Sequence, residues 1–198
     1  MRCLIVLAHP VRHSLCHHFA GVAADELRRG GHRVDLLDLY AHGFDPALSA
    51  LERGAYYSKD ASVQRTHLHQ GLFQAEGLVL CFPTWWFGFP AMLKGWFDRV
   101  WSPGVAFDHA DDLGPIRPRL ENLRHVAAIT TLGSAGWVDQ LLMRQPVRRV
   151  LRRALLGACA PQARLDFLSL YRSETLTPRR IGAFESRIRQ RLERWPAA

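Results

Sequence analysis

The chain has 198 residues, 48% of them hydrophobic, which suits one globular domain, 1–198, with a full core. Its formal net charge of +8 favours anionic partners, yet the cationic runs at 144–153 and 179–194 alternate with apolar residues as exposed helix faces do. They lack the aromatic or Gly/Arg interleaving of a single-strand binder and match no recognition motif, which excludes nucleic acid as the partner.

In chain order, "RCLIVLA", 2–8, is an apolar run of strand length that suits a buried parallel strand. It is too short for a signal peptide, and no run approaches a membrane span. Ser14 caps a helix to about Arg29, ended by Gly30-Gly31. "HRVDLLDLY", 32–40, is a second strand, and 41–60 is irregular and polar. A helix covers about 62–75, with Val63, Leu68, Leu72 and Phe73 near one face. "GLVLCFP", 77–83, is the third strand, followed by a helix from Pro90 to about Trp101 and a long loop at 102–122. "HVAAITTLG", 125–133, is the fourth strand. A basic helical stretch at 137–157 breaks near Pro146, "ARLDFLSLY", 163–171, is the fifth strand, and Thr177-Pro178 opens a last helix. Five apolar strands alternating with helices predict a three-layer α/β sandwich around a parallel sheet. The four cysteines contain no C-x-x-C and read as free core thiols of a reducing, cytoplasmic compartment; no metal site is assigned.

Ligands of such sheets bind beyond the carboxyl ends of the strands. Three segments follow strand ends. "AHPVRHSLC" crowds His9, Arg12 and His13 ahead of a helix start, where N–H groups and the dipole favour phosphate. Arg12 is either a phosphate contact or a solvated surface group. There is no G-x-G-x-x-G, so the dinucleotide fingerprint is absent. "PTWWFG" offers stiff aromatics at the ligand edge, suited to a flat heteroaromatic ring. Trp96 and Phe97, further on, read as core of the next helix. "TTLGSAGW", 130–137, offers backbone N–H donors to a polar ring edge.

Together "AHPxxxS", "FPTWWFGFPAMLKGWFDRVW" and "ITTLGSAG" resemble the NAD(P)H:quinone reductase family, over about residues 1–140. That group of flavoproteins includes mammalian quinone reductases, bacterial drug-activity modulators and ancillary subunits of potassium-efflux systems. The resemblance implies a flavodoxin-like fold with strand order 2-1-3-4-5, a bound flavin (FAD, alternatively FMN) and a homodimer. It implies that His9, His13, Ser14, Leu15 and Cys16 meet the flavin phosphates. Pro83, Thr84, Trp85, Trp86 and Phe87 would flank the ring, and Thr130, Thr131 and Gly133 would meet its polar edge. Trp86, Phe87 and Thr131 would position the ring for reaction. Phe107 and His109, in "GVAFDHA", would lie over a partner's substrate pocket. Leu132 stands where the family usually has glycine, and Val138 at the position of a mammalian catalytic tyrosine whose histidine partner is also missing. The charge at the ring edge then falls to backbone N–H groups or to Arg144.

The expected activity is hydride transfer from NAD(P)H to the flavin and on to a quinone, by ping-pong exchange in one pocket. A second expectation is a redox-sensing subunit docked on a membrane transporter. The long loop 102–122, with Phe107, Leu113 and Ile116, and Trp101 of the preceding helix are expected to supply apolar surface to the dimer.

Overall fold

The computed structural model describes residues 1–56, 67–110 and 114–196. β1 (Arg2–Leu7) leads into helix α1 (Leu15–Arg29) and then β2 (Arg33–Asp38). Helices α2 (Ala50–Ala55) and α3 (His67–Phe73) precede β3 (Gly77–Pro83), which feeds α4 (Ala91–Val100). β4 (Phe107–Asp108) and β5 (Arg117–Pro118) form a small antiparallel ribbon. β6 (His125–Leu132) is followed by a π-helical turn at Val138–Leu142. A second helical stretch starts at Pro146–Arg149 and runs through a π segment, Val150–Leu156, to Gly157–Cys159. β7 (Arg164–Tyr171) and a C-terminal helix, Pro178–Leu192, complete the order.

Five strands pair in parallel in the order β2-β1-β3-β6-β7, the 2-1-3-4-5 arrangement expected for the core sheet. The apolar strand runs exist because both faces are covered. Cys3, Ile5 and Leu7 face α1 and the C-terminal helix, through Phe19, Leu27, Phe184 and Ile188. Leu4, Val6 and Ala8 point the other way, into a cluster with Leu93, Trp96, Phe97 and Leu151. β2 is an edge strand and keeps the polar character of its sequence. Within α4, Gly95 lies where a Cβ would strike the backbone of Pro46, so that connection packs flat on the helix. All four cysteines are free and buried. Burial pushes the Cys3 thiol up to about 11 and those of Cys16 and Cys159 to about 12, and raises Cys81 well above the ordinary thiol range.

Several expectations are corrected. The segment 41–60 is not wholly irregular: Ser49 and Glu52 form a reciprocal capping box that starts α2 despite Gly54. Within the described residues, the helix expected over 62–75 spans His67–Phe73; Val63 lies outside them. Pro90 is the N-cap of α4, with extended backbone, not its first helical residue. The loop 102–122 folds back as the β4–β5 ribbon, which buries Phe107. Trp101 is only 4% exposed, its ring packed edge-on against Trp96 and Phe97, so it offers no surface to a partner. Ile116 remains exposed, and Leu113 lies outside the described residues. The break near Pro146 is present, with Arg144 and Gln145 both in the left-handed region. No helix among the described residues is long and apolar enough to cross a membrane.

Candidate active site

The chain leaves β1 for β2 on one side, then returns across β1 to β3 on the other. That reversal parts the loops after β1 and β3 and opens a crevice at the carboxyl edge of the sheet. The loop after β1 is tied to β3 by Ala8 N–H, which donates to the Cys81 carbonyl at 3.0 Å. His9 is half-buried, and its Nδ1 accepts the Val11 N–H at 3.0 Å. Nε2 therefore carries the proton. Burial lowers the His9 pKa below the usual histidine range, so the ring is a neutral donor rather than the cation its type suggests. Ser14 has extended backbone and caps α1, its Oγ accepting the His17 N–H. The first turn of α1 holds no acidic residue, which leaves its positive end uncompensated from within the helix. Arg12 and His13 are exposed.

After β3, Thr84 N–H donates to the Thr131 carbonyl at 2.9 Å, and the Thr84 and Thr130 hydroxyls meet at 2.7 Å. Trp85 and Gly88 then exchange backbone hydrogen bonds at 3.3 and 2.9 Å, closing a two-residue hairpin. Its central residues are Trp86 and Phe87, with φ of 51° and 56°. Such a turn normally takes Asn-Gly, because positive φ crowds a side chain against its own backbone. Two bulky aromatics there are strained, and strain of this kind collects at functional sites. Nor is it offset by burial: Trp86 is 99% exposed and Trp85 is also on the surface.

β6 brings Thr130 and Thr131, both buried, and the Thr131 hydroxyl lies 3.8 Å from the Cys16 sulfur. The Cys16 side chain is thus turned into the protein. Ser134 Oγ, in the following loop, is buried with no hydrogen-bond partner among the described residues. The loop after β7 closes the end: Ser173 N–H donates to the Leu132 carbonyl, and a Cβ on Gly133 would come within 3.0 Å of the Glu174 carboxylate.

The resulting crevice has a volume of about 240 Å³. His9, Leu15 and Cys16 line it from the first loop, Pro83, Thr84 and Trp85 from the second, and Thr131 and Gly133 from the third. Eight of the site residues expected from sequence therefore converge. Ser14 stands beside Leu15 at the helix start, Thr130 supports Thr84 from behind, and Trp86 and Phe87 project from the tip of the hairpin next to Trp85. Phe107 and His109 are elsewhere, edge to face at 5.4 Å. Phe107 floors a separate hollow of about 580 Å³ between α4 and the 150–159 helical segment. Arg144 is exposed after the π turn. Sequence reading missed Ser173 and Glu174, which lie in a polar turn with no distinguishing pattern. It also missed His17 and Asp38, whose side chains bond at 3.0 Å across the start of α1 and the end of β2.

The flavodoxin-like fold family matches residues 1–160, which include all three of the loops read from the sequence. This chain belongs to the flavodoxin-like NAD(P)H:quinone oxidoreductase family. Within it, the chain is 36% identical over 108 residues to the uncharacterized NAD(P)H oxidoreductase YcaK of Escherichia coli, covering 54% of this chain and 55% of that one. It is 35% identical over 152 residues to NAD(P)H dehydrogenase (quinone) 1 of Cavia porcellus, covering 67% and 54% respectively. The chain thus spans about half the length of these curated relatives. Among solved structures, the NAD(P)H:quinone oxidoreductase of Methanothermobacter marburgensis superposes with a TM-score of 0.80 at 25% identity, over 98% of this chain and 96% of that one.

Proposed function

We propose that the chain is a flavin-dependent NAD(P)H:quinone oxidoreductase, working as one domain over 1–198. One observation carries the reading: three strand-end loops converge on a crevice beside a hairpin that holds Trp86 and Phe87 at strained positive φ, with Trp86 uncovered. The residues fit a flavin. The acid-free start of α1, the Ser14 hydroxyl and the His9 Nε2–H suit a phosphate. Pro83, Thr84, Trp85, Trp86 and Phe87 suit the ring, for which Trp86 would supply the contact its exposure lacks. Thr131, Gly133 and the unpartnered Ser134 hydroxyl suit the polar ring edge. The Cys16 thiol is held against the Thr131 hydroxyl at 3.8 Å.

When bound, the flavin supplies two-electron chemistry, accepting hydride from NAD(P)H and passing it to a quinone. The chain's own work is to bind, orient and exclude water. Thr84 and Thr130 brace the ring-side loop, and the Trp85–Gly88 hairpin sets the angle of the aromatic pair. The Tyr171 hydroxyl donates to Asp139 at 2.9 Å and is thereby committed to structure. FAD is the expected cofactor, with FMN the alternative. The expected assembly is a homodimer in which the hollow floored by Phe107, whose ring His109 meets edge to face, lies over the partner's site. Such a dimer would cover the exposed Trp137, Leu141, Leu142, Ile116 and Val150.

The test is direct. The purified protein should be yellow, release a flavin of FAD or FMN mass on heating, and oxidise NAD(P)H with a quinone by ping-pong kinetics. A colourless protein that cannot be reconstituted with either flavin overturns the reading.

A further inference from the structure

We propose that His17 is a proton-coupled positioning residue: it takes up a proton as the flavin phosphate binds, and in doing so turns the Ser14 hydroxyl outward to the phosphate. The inference rests on the flavin reading above and adds to it a residue and a proton.

Hydrogen-bond bookkeeping leads there. Ser14 Oγ lies 2.9 Å from His17 Nδ1, and His17 Nε2 lies 3.0 Å from Asp38 Oδ2. A carboxylate only accepts, so Nε2 must carry a hydrogen. The carboxylate is itself fixed, because Asp38 Oδ1 accepts the Tyr40 and Ala41 N–H groups at 3.0 and 3.1 Å. In a neutral His17, Nδ1 is then a bare lone pair, and it must receive the Ser14 hydroxyl hydrogen. Ser14 turned that way shows only lone pairs to an arriving phosphate. In a protonated His17, Nδ1–H donates to Ser14 Oγ, which also accepts the His17 backbone N–H at 3.3 Å. The hydroxyl hydrogen is released and points to the phosphate. Phosphate binding and protonation of His17 therefore favour each other.

The surrounding charges agree. Asp38, from the end of β2, sits against the imidazole as its counter-ion. His9, from the end of β1, packs edge-on at 6.3 Å, and a charge on His17 works against one on His9, which stays neutral. Arg12 and His13 are exposed in the same turn, and His18 is paired with Glu185 of the C-terminal helix. The proton comes from solvent, and no bond between heavy atoms forms or breaks.

The experiment uses the full-length protein, freed of flavin and confirmed as folded by its melting transition. FMN and riboflavin, which lacks the phosphate, are titrated calorimetrically in buffers of different ionisation enthalpy. Work above pH about 7 keeps the FMN phosphate doubly ionised throughout. Up to about one proton should be taken up per FMN and none per riboflavin, and FMN affinity should fall up to about tenfold per pH unit relative to riboflavin. In Asp38→Asn the amide keeps the Oδ1 acceptor and offers Nε2 a donor, which moves the hydrogen of a neutral His17 to Nδ1. FMN should then bind without proton uptake. His17→Asn should also abolish the uptake and cut the preference for FMN over riboflavin by about tenfold. Uptake that is absent from the native protein, or that persists in His17→Asn, overturns this inference and leaves the flavin reading standing. Failure to bind FMN, riboflavin and FAD alike overturns both.

Discussion

The run from Cys81 to Trp101 splits into two halves that share a composition and little else. In the second half Trp96, Phe97 and Trp101 sit in and just beyond a helix, their rings edge to face at 5.3 to 6.2 Å and nearly inaccessible. They are buried even though the indole N–H groups of Trp96 and Trp101 find no partner among the described residues. In the first half Trp85, Trp86 and Phe87 sit in a hairpin with two positive φ angles, and Trp86 touches almost nothing. Aromatic content alone does not decide burial; the backbone around it does. Helical spacing turns a side chain toward the sheet, whereas a two-residue turn points it away. One half stabilises the fold, and the other stores strain that the fold does not repay.

The contrast predicts opposite responses. Trp96→Ala should cost roughly 3–5 kcal/mol of stability, the range for emptying a large aromatic site. Chemical denaturation measures it, and a loss below about 1 kcal/mol would place Trp96 outside the core. Trp86→Ala should leave the melting of the flavin-free protein unchanged and weaken flavin binding by roughly 0.5–1.5 kcal/mol. Equal destabilisation with and without flavin would erase the distinction between the halves. Phe87→Gly should raise the stability of the flavin-free protein by up to about 1 kcal/mol, since glycine accepts positive φ without crowding. A drop in its denaturation midpoint would mean that Phe87 is held there by packing.

Acid should act on both halves in one direction. Burial lowers the pKa of His9, beside the hairpin, and of His69, whose Nε2 lies 3.1 Å from the Arg99 carbonyl near the end of α4. His32 and His125 are lowered for the same reason. Each binds its proton more weakly folded than unfolded. Their contribution is therefore complete above the ordinary histidine value of about 6.5 and is lost as pH falls through the lowered values. Melting temperature should decline on acidification from about pH 7, and a flat profile down to about pH 5 would contradict the burial of these rings.

Much of this was legible beforehand because the signals are local. Five strand-length runs bounded by turn residues specify the five strands, of which β1, β3 and β6 are the most fully buried, and the loops after these three carry most of the crevice. What escaped depends on distant residues meeting. Asp38 reaches His17 only because β2 lies parallel beside β1, and Glu174 reaches Gly133 only because β7 ends level with β6. Phe107 was expected on the surface because its loop is rich in Gly, Pro and Asp, and Trp101 because it ends the helix before that loop. The fold-back of Phe107–Asp108 onto Arg117–Pro118 lets Phe107 fill the cluster that also takes Trp101. The π turn at Val138–Leu142 leaves Trp137, Leu141 and Leu142 outward, an arrangement for which ordinary helical periodicity gives no cue.

The four buried sulfurs have a chemical consequence of their own. A quinone is an electrophile as well as an oxidant, and its ring carbons add to thiolates, which are the reactive form of cysteine. On the proposed function, a chain that met quinones turnover after turnover would risk arylating itself at any ionised sulfur within reach. Here Cys3, Cys16, Cys81 and Cys159 are all shielded from solvent, and burial keeps each in its protonated form at neutral pH. Cys16 stands at the crevice itself, yet is only 2% exposed, with its sulfur against the Thr131 hydroxyl. While it is folded, the protein would present such an acceptor with no nucleophilic sulfur, and covalent self-inactivation would have to wait for the chain to open.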